Sequence, residues 1–354
     1  MNDLITPLLS WYHAHARILP WRDAPTPYHV WISEIMLQQT RVQAVIPYYE
    51  RFLAALPDPA ALSACEDDRL MKLWEGLGYY NRARNLKKAA VRILQEFDGR
   101  IPDTMEALLS LPGIGRYTAG AILSIAYGRP CPAVDGNVLR IWMRLHADPR
   151  DIMKESVKRS VEQELQAYYN ENNASELTQA LMELGATVCT PNGVPDCMHC
   201  PWRAQCSAHA EGTELSYPVK TKAKPRRICE KTILLIKDGS RVLLKKRPET
   251  GLLAGLYAFP DLDGFRTEAE VLKETAAFGV TPFHIERLPD AKHIFTHVEW
   301  HMKGFLIRVG EGTELPEGVL FADKKATEER FPIPAAYAKY ADVLAIRLGQ
   351  DKYR

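Results

Sequence analysis

Two carboxyl groups and four thiols are placed in this chain where they could do chemistry. Glu34 lies in YHVWISEIMLQQ, residues 28–39, a run with helical spacing after Pro27. Its neighbours at i−4, i−3 and i+3 are Val30, Trp31 and Leu37, so its carboxyl leaves an apolar face. Burial disfavours the ionised form, and a carboxyl that keeps its proton near neutral pH can serve as a general acid. The same placement also suits a buried glutamate paired with an arginine. Asp135, in VDGNV, heads a predicted helix from Asn137 to Leu145. Cys189, Cys197, Cys200 and Cys206 are spaced C-x7-C-x2-C-x5-C. Four thiolates so close in sequence can enclose one metal centre, and both zinc and an iron–sulfur cluster accept that ligand set.

These groups must be positioned by the elements around them. LPGIGRYTAGAI, residues 111–122, reads as a turn between helices, with Ile114 plugged between Gly113 and Gly115. A helix is predicted over Arg116–Tyr127, and N–H groups of Gly113 and Gly115 at its start suit an anion such as a phosphate. A pure packing hairpin would read the same way. Gln38, Gln39, Thr40 and Arg41 end the helix of Glu34 with long polar side chains that reach either base edges or solvent. GLGYYNRARN, from Gly76, sets Leu77 between two glycines, with Gly78 leading into Tyr79 and Tyr80 and then a basic helix. Leu and Tyr presented beside arginines fit a wedge into stacked bases, or two core tyrosines. Arg22, next to Trp21, is either a plain surface residue or the wall of a pocket for a flat polar ring.

Further helices are predicted over 4–16, 41–55 (interrupted near Pro47), 66–76, 104–110, 153–169 and 175–186. After residue 227 the period changes to that of strands. EKTILLIK and RVLLKKR flank Asp238-Gly239 as a hairpin, KHIFTH and VEWHMKGFLIRV are strand candidates, and 268–279 and 334–348 read as helices. The expected organisation is a helical domain at 1–210 with the cysteine loop at 189–206, a basic linker at 211–227, and an α+β domain at 228–354. Lys220, Lys222, Lys224, Arg226, Arg227 and Lys231 make the linker basic. The formal net charge of +1 argues neither for nor against nucleic acid. No apolar run approaches the roughly 20 residues of a membrane span, and the N-terminus lacks a secretory pattern, so a cytoplasmic protein without membrane contact is expected. Crowded cysteines in such a chain favour metal over disulfides.

Together, Pro20-Trp21-Arg22, SEIMLQQTRV, GLGYYNRARN, LPGIGRYTAGAI, VDGNV and the cysteine loop resemble the MutY family of adenine DNA glycosylases, within the helix-hairpin-helix superfamily. The C-terminal part resembles Nudix hydrolases, including RPETGLLAGLYAFP at 247–260. The resemblance implies an all-α helix-hairpin-helix glycosylase domain with an iron–sulfur loop, then an α+β Nudix-like domain. It implies hydrolysis of the N-glycosidic bond of adenine mispaired with 8-oxoguanine or guanine in double-stranded DNA, by a monomer, nucleoid-associated if bacterial. Glu34 takes the place of the acid that protonates the leaving adenine, and Asp135 that of the carboxylate stabilising an oxocarbenium-like sugar, which is glycoside chemistry on a flipped base. Tyr117 and Asn137 match positions near the sugar, Arg22 and Gln179 the adenine pocket, and Gln39, Leu77 and Tyr79 the residues that intrude at the lesion. Phe295-Thr296-His297 corresponds to a lesion-reading loop that is usually Phe-Ser-His. The four cysteines imply a [4Fe-4S] cluster, although the first gap is one residue longer than the family's usual six, in a stretch that includes Gly193.

Related bifunctional glycosylases carry a lysine where this chain has Tyr117. A phenol cannot form a Schiff base, so the resemblance implies a monofunctional enzyme rather than a pyrimidine-damage lyase. The presence of both Glu34 and Asp135 disfavours a silent lesion-binding protein. In LKETAAFGV, alanines 276 and 277 stand where a Nudix enzyme needs glutamates for magnesium, which disfavours a nucleotide-pool hydrolase and leaves binding.

Overall fold

The computed structural model describes residues 3–221, 225–310 and 314–349. Lys222 and Lys224 of the basic linker therefore lie outside the described residues. The chain forms two compact units, Met1–Ala64 with Arg84–Ala223, and Cys65–Ala83 with Lys224–Arg354.

In chain order the helices before the sheet are α1 (Ile5–His15), α2 (Pro20–Asp23), α3 (Pro27–Leu37), α4 (Val42–Ala55), α5 (Pro59–Ala64), α6 (Asp67–Trp74), α7 (Asn81–Glu96), α8 (Met105–Ser110), α9 (Arg116–Ala121), α10 (Gly136–His146), α11 (Glu155–Gln166), α12 (Ala174–Thr187) and α13 (Ser207–Ala210). The first unit takes all of these except α6 and the first residues of α7. Local chemistry fixes several starts. Thr26 caps α3 by accepting from the His29 N–H at 3.2 Å, with Pro27 at the first helical position, and Thr104 caps α8 through the Ala107 N–H at 3.3 Å. The amphipathic faces of α1, α10, α11 and α12 meet in one core, with Leu8, Met143, Val161 and Leu184 fully buried and Trp202 of the cysteine loop packed in.

Two expectations for this unit change. Helix α4 runs unbroken through Pro47. Val45, Tyr48, Tyr49 and Phe52 bury one face on both sides of the proline, and that packing outweighs the one hydrogen bond it removes. The helix predicted over Arg116–Tyr127 is instead α9 followed by a π-helical stretch, Ile122–Ala126. Such widened turns recur at functional sites and carry no signal in hydrophobic period.

The second unit is built on a mixed seven-stranded sheet of β1 (Arg227–Asp238), β2 (Arg241–Lys246), β3 (Tyr257–Ala258), β4 (Asp261–Asp263), β5 (Thr281–Ile294), β6 (Val298–Gly310) and β7 (Val319–Ala322). The order is β3-β2-β1-β6-β5, with β4 on β1 and β7 on β2; only β1 and β6 pair in parallel. Alternation along β1 sends Ile233 and Leu235 to one face and Leu234 and Ile236 to the other, and both faces are covered. α14 (Glu268–Ala276), with a Thr267–Glu270 capping box, packs through Val271 on one face, and α16 (Ala338–Val343) packs on the other, following α15 (Lys324–Glu329).

The expected β1–β2 hairpin is present, turning at Gly239. The strand expected over KHIFTH stops at Ile294, and Phe295–His297 form the turn between β5 and β6. The helix expected over 334–348 is one 3₁₀ turn and the short α16, ended at Ala345, whose φ is 51°. Its alanines give helical period, but Ile346 and Leu348 are buried against the sheet core beyond the helix, which directs the chain away.

Candidate active site

In the first unit, α3 carries Glu34 into the interior, 4% exposed, beside the fully buried Trp31. The Tyr117 hydroxyl, from the first turn of α9, donates to Glu34 Oε2 at 2.7 Å. Burial raises the Glu34 carboxyl to about 7, the Tyr117 hydrogen bond works against that rise, the Asp135 carboxylate adds to it, and Arg22 opposes it. The phenol of Tyr117 is pushed well above its ordinary value by burial and by the two carboxylates, so it remains a donor. Asp135 is the N-cap of α10. Its Oδ1 accepts from the N–H groups of Asn137 and Val138, both at 2.8 Å, and its Oδ2 from the Asn137 side-chain amide at 2.7 Å. Burial raises the Asp135 carboxyl, and these three donors oppose the rise. The site thus holds two carboxyls in different surroundings, one raised to about 7 by burial and one whose rise is opposed by three donors at a helix N-terminus.

Arg22 extends from α2. It donates to Glu183 Oε2 at 2.8 Å and to the Arg17 carbonyl at 2.9 Å, and its guanidinium lies 5.5 Å from the centroid of the Tyr12 ring. The Tyr12 hydroxyl donates to Gln179 Oε1 at 3.3 Å, and Gln179 Nε2 donates to Ser175. Arg22 and Gln179 are therefore linked through Tyr12. Glu183, one turn after Gln179 on α12, has a fully buried side chain and takes both Arg22 and a two-pronged Arg17. Burial alone would raise the Glu183 carboxyl, but its hydrogen bonds from Arg17 and Arg22 hold it below the usual range. Sequence reasoning missed Glu183 and Arg17. An acidic residue on a helix one turn from Gln179 was the only signal, and its partners lie more than 160 residues away in sequence.

Of the remaining residues in this unit, Gln38 reaches Thr118 Oγ1 at 3.5 Å, and Gln39 is exposed with φ 57°, a left-handed backbone in a non-glycine residue. Thr40 closes the turn through its N–H to the Leu37 carbonyl at 3.2 Å, and Arg41 is exposed at the start of α4. In the hairpin, Gly113 has φ 81°, and a Cβ there would lie 2.7 Å from Asn85 Cβ, so α7 and the hairpin need glycine at this position. Gly115, the N-cap of α9, is ordinary extended backbone with open space around it, so its conformation does not require glycine.

The four cysteines line one cavity together with Arg144, whose Nη1 lies 3.3 Å from Cys189 Sγ. Burial pushes the Cys197 thiol up to about 11 and the Cys200 thiol up to about 12. Such thiols need a bound cation to become thiolates, and an all-sulfur donor set with a guanidinium beside it fits a metal centre. Cys197 also has His209 and Glu214 within 4.8 Å of its sulfur, those two paired at 2.7 Å. Gly193, in the longer first gap, lies in an exposed bend, where a Cβ would meet nothing within 4 Å. Arg140 joins this loop to the carboxyl site: it donates to the carbonyls of Cys189 and Gly185, both at 2.8 Å, and to Asn137 Oδ1 at 3.0 Å.

In the second unit, Leu77 is buried and Tyr79 is 47% exposed, in a turn where Gly76, Gly78 and Tyr79 have φ of 101°, 69° and 47°. The Tyr79 hydroxyl lies 3.1 Å from Thr296 Oγ1. Phe295 packs edge-on to Trp300 at 5.0 Å, while Thr296 and His297 are exposed at the tip of the β5–β6 turn.

The chain is similar to known proteins in both of its parts. Residues 32–167 match the HhH-GPD superfamily of base excision DNA repair proteins, and residues 232–343 match the NUDIX domain. A trapped covalent intermediate of endonuclease III with DNA has the fold of the first part, at a TM-score of 0.50 and 25% identity, over 58% of this chain and 94% of that one. The chain is thus a helix-hairpin-helix base excision repair protein with a C-terminal Nudix domain. Adenine DNA glycosylase of Buchnera aphidicola subsp. Schizaphis graminum is 34% identical over 85% of this chain and 86% of its own length, and that of Homo sapiens is 32% identical over 97% and 74%. The chain belongs to the MutY family of adenine DNA glycosylases. Among the described residues no helix is long and apolar enough to cross a membrane.

Proposed function

We propose that the chain removes adenine paired with 8-oxoguanine or guanine from double-stranded DNA, leaving an intact abasic strand. The observation that carries this reading is the buried Glu34, raised to about 7 and held by Tyr117 beside the capped Asp135. Glu34 gives its proton to the adenine ring as the N-glycosidic bond breaks and the base takes the electron pair. Asp135 faces the positive charge that develops on the sugar, and water completes the hydrolysis at the anomeric carbon. Asn137 aims Asp135, and Tyr117 fixes the Glu34 carboxyl. Arg22 and Gln179, tied down by Glu183 and Tyr12, wall the adenine pocket. Tyr117 offers no amine, so no covalent imine with the sugar forms.

Gln38, Gln39, Thr40 and Arg41, the turn from Gly76 to Tyr79, and the hairpin at Gly113–Gly115 contact the duplex. Tyr79 is the exposed wedge, with Leu77 behind it. Phe295, Thr296 and His297 read the base opposite the adenine. In 8-oxoguanine N7 carries a hydrogen, where guanine offers an acceptor, and the Thr296 hydroxyl can accept from it. Cys189, Cys197, Cys200 and Cys206 hold a [4Fe-4S] cluster, which braces the loop and takes no part in the hydrolytic step. The protein acts where the DNA is, in the cytoplasm, and at the nucleoid if the cell is bacterial. The test is a panel of duplexes with A opposite 8-oxoguanine, G and T, each assayed with and without alkali. Strand breaks that need alkali, fastest opposite 8-oxoguanine and absent opposite T, support the reading. Breaks without alkali, or equal rates on all three, refute it.

A further inference from the structure

Another carboxylate is buried outside the site described above. Glu75, just after α6, is 2% exposed. Its Oε1 accepts from the Lys72 ammonium at 3.0 Å and from the Ile333 N–H at 2.8 Å, and its Oε2 from the Gly349 N–H at 3.4 Å. Lys72 also donates to the carbonyls of Thr327 and Phe331, each at 2.8 Å. A buried carboxylate and a partly buried ammonium thus tie together stretches of backbone far apart in sequence. The approach is close enough that a Cβ on Gly349 would lie 2.8 Å from the Cα of Gly76. Gly76 is the first residue of the turn that presents Tyr79.

The other end of that turn is tied as well. Arg82 donates to the carbonyls of Leu77 and Gly78, at 2.9 and 3.1 Å, and its guanidinium lies 5.5 Å from the centroid of the Tyr79 ring. The Tyr79 hydroxyl then meets Thr296. All of these residues belong to the second unit. A turn with left-handed residues at three of four positions would otherwise sample many conformations, and each of them would move Tyr79 relative to Thr296.

We propose that Glu75, with Lys72, is a positioning residue for recognition of the base opposite the adenine: it anchors the Gly76–Tyr79 turn to the Ile333 and Gly349 backbone, so that Tyr79 and Thr296 reach the duplex as one body. This rests on the reading of Tyr79 and Thr296 given under Proposed function. Replacing the carboxylate by an amide puts an N–H₂ where the anchor needs an acceptor, and leaves a buried donor unpaired. The geometry of the lesion reader loosens while Glu34 and Asp135, in the other unit, are left as they are.

The test uses the full chain with Glu75→Gln, Lys72→Met and the conservative Lys72→Arg. Hydrogen exchange is measured on the DNA-free protein, and single-turnover adenine release on duplexes with A opposite 8-oxoguanine and A opposite G. Glu75→Gln and Lys72→Met should speed exchange across residues 76–82 but not across the 111–122 hairpin. They should lower the ratio of the two rates roughly five-fold or more, through the 8-oxoguanine rate, and Lys72→Arg should restore most of the ratio. Unchanged exchange across 76–82, or both rates falling by the same factor, would overturn the proposal. A wild-type protein with no preference for 8-oxoguanine would remove the underlying reading of Thr296 and the proposal with it. A wild-type preference that both variants keep would remove only the role of Glu75.

Discussion

Replacing Tyr117 by Phe removes one oxygen and keeps the ring. The lost group is the donor 2.7 Å from Glu34 Oε2. That hydrogen bond favours the ionised carboxylate, so its removal raises the Glu34 pKa further. A hydrogen bond to a charged group contributes about 1.5–3 kcal/mol. At about 1.4 kcal/mol per unit, the pKa should rise by about 1–2 units. In the wild type, kcat/KM should fall as pH rises through about 7, because the acid loses its proton there. In Tyr117→Phe the descending limb should move up by about 1–2 pH units, whatever happens to the plateau. The ascending limb, set by ionisation of Asp135, should lie above the ordinary aspartate range in both proteins. The assay is adenine release at sub-saturating enzyme between pH 4.5 and pH 9.5, with buffers overlapped. A descending limb that stays in place or moves toward acid would refute the assignment of the Tyr117–Glu34 bond and of Glu34 as the titrating acid.

Three further outcomes follow from the same groups. Glu34 is raised to about 7 in the folded protein, so it is protonated in both states below its ordinary value of 4.5 and destabilises the fold as pH climbs between those values; Glu34→Gln lacks this term and should exceed the wild type by about 3 kcal/mol at pH 8, with the gap closing at pH 4 in denaturant unfolding. Protein purified without oxygen should be yellow-brown with about four irons per chain, and colourless folded protein with stoichiometric zinc would overturn the cluster assignment. Thr296→Val should lose about 0.5–1.5 kcal/mol on the 8-oxoguanine duplex only, whereas Thr296→Ser should match the wild type in single-turnover rates.

What could be read in the sequence was whatever depends on near neighbours in the chain. Glu34 showed its apolar face through Val30, Trp31 and Leu37, and Val30, Trp31 and Glu34 are buried there. Asp135 showed its place at a helix start, and it caps α10. The cysteine spacing foretold four thiols on one cavity. What could not be read depends on pairing across the fold. Glu183 looked like any helical glutamate until Arg17 and Arg22 met it. Nothing in the run 116–127 announced the widened turns at Ile122–Ala126, since one extra residue per turn leaves composition unchanged. The grouping of Cys65–Ala83 with the second unit was equally hidden, because Glu75 finds its partners 258 and 274 positions away. Alanine-rich period over 334–348 overstated a helix that burial of Ile346 and Leu348 cuts short.

The central claim is that Glu34 supplies the proton that lets adenine leave. Its most direct test is single-turnover adenine release by Glu34→Gln on a duplex with A opposite 8-oxoguanine, with binding to the same duplex measured in parallel. Gln keeps the shape and an acceptor for the Tyr117 hydroxyl but has no proton to give. The account predicts binding close to wild type and no detectable adenine release over many wild-type half-lives. Substantial release by a variant that binds normally would contradict it and place the acid elsewhere.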